Sequence, residues 1–129
     1  QRCVNTTLAE RIPMAHEYWD RNDPHYVDGE GTESYAGLMG RVEDMWGRLL
    51  NHYGGQWVVV VSHAQFIRAA IWHWMYEGDK ATEIGMKRFR SFLRAYPIPN
   101  GALQKVRHDG EFWHSMPLTG HLSDELKSN

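Results

Sequence analysis

The chain has 129 residues, with 14 Lys and Arg against 16 Asp and Glu for a formal charge of −2. That length suits one domain with a hydrophobic core of its own. The charge balance argues against a nucleic-acid binder, and one cysteine, Cys3, excludes an internal disulfide.

No secretory leader is recognisable, and the strongest apolar run, Val58 to Val61, is far too short to span a bilayer. With a lone cysteine this points to a reducing, cytoplasmic setting. The chain opens on Gln1 rather than Met, consistent with processing or with a preceding segment. Six Trp, six Tyr and eight His are many for this length and point first to an aromatic-rich core.

In chain order, residues 1–13 show no convincing periodicity. A polar, turn-rich, lid-like segment follows over about 14–33, with Asn22-Asp23-Pro24 and Asp28-Gly29 as breakers and a short helix around Met14 to Asp20. From Tyr35 the apolar residues Leu38, Met39, Val42, Met45, Trp46, Leu49 and Leu50 recur at helical spacing. Thr32 or Ser34 can cap this helix, and Asn51 to Gly55 can end it.

Trp57 to Val61 is a short, β-branched run with the character of a strand buried on both faces. Ser62-His63 ends it, and helices follow over Gln65 to Tyr76 and within Ala81 to Ala95. Ala102 to Arg107 and Glu111 to Ser115 read as a hairpin turning at Asp109-Gly110. The tail, about 117–129, is polar and expected to fray. The pattern predicts a single α/β domain over 1–129, with helices flanking a mainly parallel sheet. Only one strand has a central parallel profile, so that sheet is expected to be incomplete.

His63 stands just past the carboxyl end of the four-valine strand and just before a helix. Ligand crevices of open α/β sheets form there, and a helix amino terminus offers N–H groups to an anion. A histidine at such a point can donate to a phosphate oxygen or move protons near neutral pH, or it can simply cap the helix.

Residues 58–69, Val-Val-Val-Val-Ser-His-Ala-Gln-Phe-Ile-Arg-Ala, resemble the second histidine motif of the histidine phosphatase (phosphoglycerate mutase-like) superfamily. Gly31-Thr32-Glu33-Ser34 with Arg41 resembles its Gly-Glu-Ser motif, with one extra residue after the glycine. Leu8-Ala9-Glu10-Arg11 resembles a Leu-x-Glu-Arg segment, and Ile98-Pro99-Asn100 a late Pro-Asn segment. The blocks keep the family's order across about Leu8 to Val106.

The resemblance implies metal-free and cofactor-free hydrolysis of phosphomonoesters, or phosphoryl transfer, through a phosphohistidine. Carried over, His63 is the second, phosphate-binding histidine and Glu10 the general acid. Arg11 and the Ala64 N–H contact the phosphorylated substrate, while Ser34 and Glu33 line or brace the pocket. Arg41 reads as a structural ion-pair partner. Trp19, Arg21, His25 and Tyr26, between the Glu10 and Ser34 blocks, are candidates for recognising polar phosphate esters.

No Arg-His-Gly motif, the seat of the family's nucleophilic histidine, occurs in the 129 residues. Neither His25 nor His108 stands in its place. The expectation is therefore a partial domain, lacking the first strand and its phosphate loop, and nearly inactive alone. A second copy or a complementing front segment should cover the edge of 57–61, since an apolar strand left bare invites aggregation. The rival is a non-catalytic remnant or interaction module that keeps the anion crevice at His63. No histidine or cysteine stands three or four residues from His63 or His73 to suggest a metal site, and no Gly-x-Ser-x-Gly elbow supports a serine hydrolase.

Overall fold

The computed structural model describes residues 7–118. In chain order these form α1 (Leu8–Arg21), α2 (Tyr35–His52), α3 (Ala64–Met75), α4 (Glu83–Ala95), β1 (Leu103–His108) and β2 (Trp113–Leu118). The helix α2 packs on α3, and α3 on α4.

The α2 stripe forms the core, as its periodicity predicts. Tyr35, Leu38, Met39, Val42 and Trp46 are buried, together with Ala69, Ala70 and Trp72 of α3 and Met86 and Phe89 of α4. Ser34 rather than Thr32 caps α2, its hydroxyl accepting from the Gly37 N–H at 3.0 Å. Two polar bonds lock the layers. Trp46 Nε1 donates to the Ala70 carbonyl at 3.1 Å, and Arg68 Nη1 donates to the Leu93 carbonyl at 3.0 Å near the end of α4. Burial holds the Arg68 guanidinium below its ordinary pKa.

The helix around Met14 is longer than the sequence pattern predicts. It starts at Leu8, where Thr7 and Glu10 form a reciprocal capping box. Periodicity cannot reveal this first turn because α1 buries no residue, and Leu8 and Ile12 face solvent. Pro13 sits inside α1 and removes one rung of its ladder. The last turn anchors the helix: Trp19 meets Phe89 at 6.1 Å, and Asp20 pairs with Arg90 at 2.7 Å. The lid-like stretch 14–33 is therefore a helical half followed by a turn-rich half. The latter is tied to α2 by the Ala36 N–H, which donates to the Pro24 carbonyl at 2.8 Å.

The expected parallel sheet is absent among the described residues. The sheet there has two antiparallel strands, β1 and β2, with Leu103 opposite Leu118 and His108 opposite Trp113. Asp109 closes the hairpin, its carboxylate accepting from the N–H groups of Glu111 and Phe112 at 3.0 and 2.8 Å. Trp113 docks the hairpin on α2, 4.3 Å from the Trp46 ring. The strand extends through Pro117 and Leu118, two residues expected to belong to the tail; the rest of that tail, 119–129, lies outside the described residues.

The segment 57–61 is correspondingly not a strand here. A lone extended segment has no ladder to join, since β structure needs a hydrogen-bonded neighbour. It keeps the alternation of a strand nonetheless. Trp57, Val59 and Val61 are 90%, 88% and 93% exposed, while Val58 and Val60 are 42% and 51% exposed. No helix among the described residues is long and apolar enough to cross a membrane.

Candidate functional site at the amino terminus of α3

His63 occupies the cap position of α3 with extended backbone (φ −90°, ψ 151°), and its side chain makes no capping hydrogen bond. The other helices differ: Thr7, Ser34 and Thr82 each close a helix start with a side-chain oxygen. The first-turn N–H groups of α3, Ala64 among them, have no such acceptor. They have no intrahelical acceptor either, and the dipole makes that end positive. The Ala64 carbonyl accepts from Arg68 Nε at 3.3 Å, one turn along.

A cleft of about 490 Å³ opens beside this terminus. Ser62, His63, Gln65 and Phe66 form one side. The helix α1 presents Arg11, Met14, Ala15 and Tyr18, a single face at the helical three-and-four spacing, with Trp19 beside them. Glu33, Ser34 and Tyr35 at the start of α2, Leu38 one turn and Arg41 nearly two turns later, and Asp28 in the preceding loop close the remainder.

Of the residues expected at the site, His63, Arg11, Ser34 and Glu33 meet around this cleft. Ser34 also caps α2, which fixes where its hydroxyl points. Glu33 is held by Arg41 through two bonds, Nε to Oε1 at 3.0 Å and Nη2 to Oε2 at 2.9 Å. Arg41 also lies over the Phe66 ring at 4.6 Å. The structural role read for Arg41 thus links the start of α2 to the first turn of α3.

Glu10 and Ala64 are not among the cleft-lining residues. The Glu10 carboxylate accepts from the Thr7 N–H at 2.6 Å and the Thr7 hydroxyl at 2.9 Å. These donors hold its pKa below the ordinary carboxylate value. A general acid working near neutral pH needs the opposite shift.

Among the specificity candidates, only Trp19 lines the cleft. Arg21 is outside the lining; it lies over the Tyr26 ring at 3.9 Å and pairs with Glu17 at 3.4 Å. His25 is exposed in a turn where its N–H donates to the Asp23 carboxylate. His108 closes β1, accepting from the Gly110 N–H at 3.2 Å. Sequence reasoning missed Met14, Tyr18 and Phe66 as cleft residues. Their common signal was position: two on the Arg11 face of α1, and one in the first turn after His63.

The family model of the histidine phosphatase superfamily (branch 1) matches residues 3–116, and the chain belongs to that superfamily. The superfamily is α/β, and its chemistry is phosphate-ester hydrolysis and phosphoryl transfer. Comparisons with curated proteins and with solved structures returned no match.

Proposed function

We propose that this chain supplies the phosphate-binding half of a histidine phosphatase site, in which His63 and the uncapped start of α3 hold the phosphoryl oxygens. The observation that carries this reading is the cap position of α3. It alone among the four described helix starts lacks a side-chain acceptor, and it opens into the cleft with His63 beside it. Phosphoryl transfer spreads negative charge over equatorial oxygens, and fixed N–H donors aimed there lower the barrier without reorganising. Arg11, on the facing wall, adds a cation, while Ser34 and the Arg41-held Glu33 shape the pocket.

The reaction itself needs a nucleophile. In this proposal a phosphohistidine forms on a histidine outside these 129 residues, whose sequence has no Arg-His-Gly motif. The segment bearing it adds a strand beside 57–61 and completes a parallel sheet. A complementing front segment or a second copy would supply that strand, and the outward row of Trp57, Val59 and Val61 leaves an apolar face for it to cover in addition. For Glu10 to act as the acid, its capping box with Thr7 must first open.

A second reading, a non-catalytic phosphate-binding module, draws on the capped and acidified state of Glu10. Titration with inorganic phosphate and assay with p-nitrophenyl phosphate separate the two. The catalytic reading expects phosphate binding that His63→Ala weakens about tenfold. It also expects turnover near zero for the 129 residues, rising when the front segment is supplied. Turnover untouched by His63→Ala removes the assigned site. Phosphate binding with no turnover under any complementation selects the module. A dilute, monodisperse monomer in solution scattering, with no other chain present, would sink the covering segment.

A further inference from the structure

Resting on that reading of His63, the geometry points to an ester whose organic part is aromatic and uncharged, bound between the Met14–Tyr18 face of α1 and Phe66 of α3. This is a different substrate class from the polar phosphate esters that the sequence of 14–33 suggests.

The cleft lining carries few cations beyond those that the phosphate itself would use. Arg11 and Arg41 stand against Asp28 and Glu33 on its lining. Arg41 is committed to Glu33 by two short bonds, so it is not a seat for a second anion. Arg21 and His25, the other cations expected to meet a polar ester, are outside the lining. A carboxylate or second phosphate on the substrate would enter without a cation of its own. Leaving a charge unpaired in a partly desolvated site is costly.

The apolar side is built in register with the phosphate site. Met14 and Tyr18 follow Arg11 along one face of α1, and Leu38 precedes Arg41 on α2. Phe66 lies three residues past His63, one turn into α3, with the Arg41 guanidinium over its ring. A group bonded to a phosphate at His63 would therefore extend along Met14, Tyr18 and Phe66. The cleft volume of about 490 Å³ falls within the roughly 300–1,000 Å³ of ordinary small-molecule sites. Aromatic walls favour flat apolar ligands through both burial and edge-to-face contact.

The test uses three probes by calorimetric titration of the full chain: 1-naphthylphosphonate, which cannot be hydrolysed, inorganic phosphate and 3-phosphoglycerate. Naphthylphosphonate is expected to bind about tenfold or more tighter than inorganic phosphate, from the apolar area it buries. 3-Phosphoglycerate is expected to gain nothing over phosphate. Met14→Glu and Phe66→Ala, each checked for native circular dichroism, should collapse the naphthylphosphonate-to-phosphate ratio toward one.

Tighter binding of 3-phosphoglycerate than of naphthylphosphonate overturns the inference while leaving the His63 reading standing. So does a naphthyl advantage indifferent to both variants, because the ring is then bound elsewhere. Loss of all binding, inorganic phosphate included, fells the His63 reading and this inference with it.

Discussion

Arg41 and Glu33 meet through a two-bond fork, 3.0 and 2.9 Å, while the same guanidinium lies 4.6 Å over the Phe66 ring. One side chain thus joins the loop before α2 to the helix that follows His63. It also keeps a carboxylate neutralised beside the proposed phosphate position.

The consequence for stability is small and for binding larger. Both side chains are substantially exposed, at 58% and 41%, so Arg41→Ala should cost less than about 1 kcal/mol in urea unfolding. Its phosphate affinity should nevertheless fall roughly three- to tenfold, because the released Glu33 carboxylate then faces an anion. Adding Glu33→Gln should restore most of that loss. A double variant that binds no better than Arg41→Ala shows that Glu33's charge is not the cause. Arg41→Lys should behave like the alanine variant in part, since an ammonium cannot form the fork.

A pH effect follows from Asp20 and Arg90, 2.7 Å apart across α1 and α4. The Arg90 hydrogen bond holds the Asp20 pKa below its ordinary 3.8. A depressed carboxylate contributes fully above its unfolded pKa and loses that contribution as pH falls through the folded value. The attachment of α1 should therefore be constant from neutral pH down to about 4 and weaken below it. Trp19 is next to Asp20 and packed on Phe89, so the tryptophan fluorescence that Trp19→Phe removes reports the change. In Asp20→Asn the acid-dependent part of that signal should shrink; an unchanged acid transition would assign it to another group.

Gly85 is buried in α4, and a Cβ there would stand 2.9 Å from the Asp79 carbonyl oxygen and closer still to that of Lys80. Backbone atoms cannot swing aside as a flexible side chain can. Gly85→Ala should therefore destabilise by about 1–3 kcal/mol despite alanine's better helix propensity, lowering Tm by roughly 5 °C or more. A Tm equal to or above the parent's means that the turn before α4 yields easily.

Trp46 is the joint between the helices and the hairpin, bonding the Ala70 carbonyl and packing 4.3 Å from Trp113. Trp46→Phe should cost about 1–2 kcal/mol, the sum of one buried hydrogen bond and part of a ring contact. Trp113→Ala should instead loosen the hairpin selectively. Hydrogen exchange in Leu103–His108 is expected to accelerate while the α2 core stays protected. Equal acceleration throughout would mean that the hairpin and helices unfold as one unit.

Local patterns alone determined much of this molecule. The α2 stripe, a hydroxyl cap at Thr32 or Ser34, the Asp109-Gly110 turn and the placement of His63 before a helix are short-range matters of spacing and hydrogen-bonding chemistry. Each is complete within a few residues, so each is legible before any fold exists. The Ser-His motif and its flanking blocks likewise carry the superfamily. Only the tertiary structure decided that α1 starts at a capping box with no buried stripe, and that Glu10 is consumed by that box. It also brought Arg11, Met14 and Tyr18 opposite His63, and it turned Arg21 and His25 out of the cleft. These depend on how α1 leans on Phe89 and Arg90 of α4, a contact between elements some seventy residues apart in the chain. The segment 57–61 shows the same division. Its composition marks a strand, but a strand exists only with a neighbour, and none of the described residues provides one.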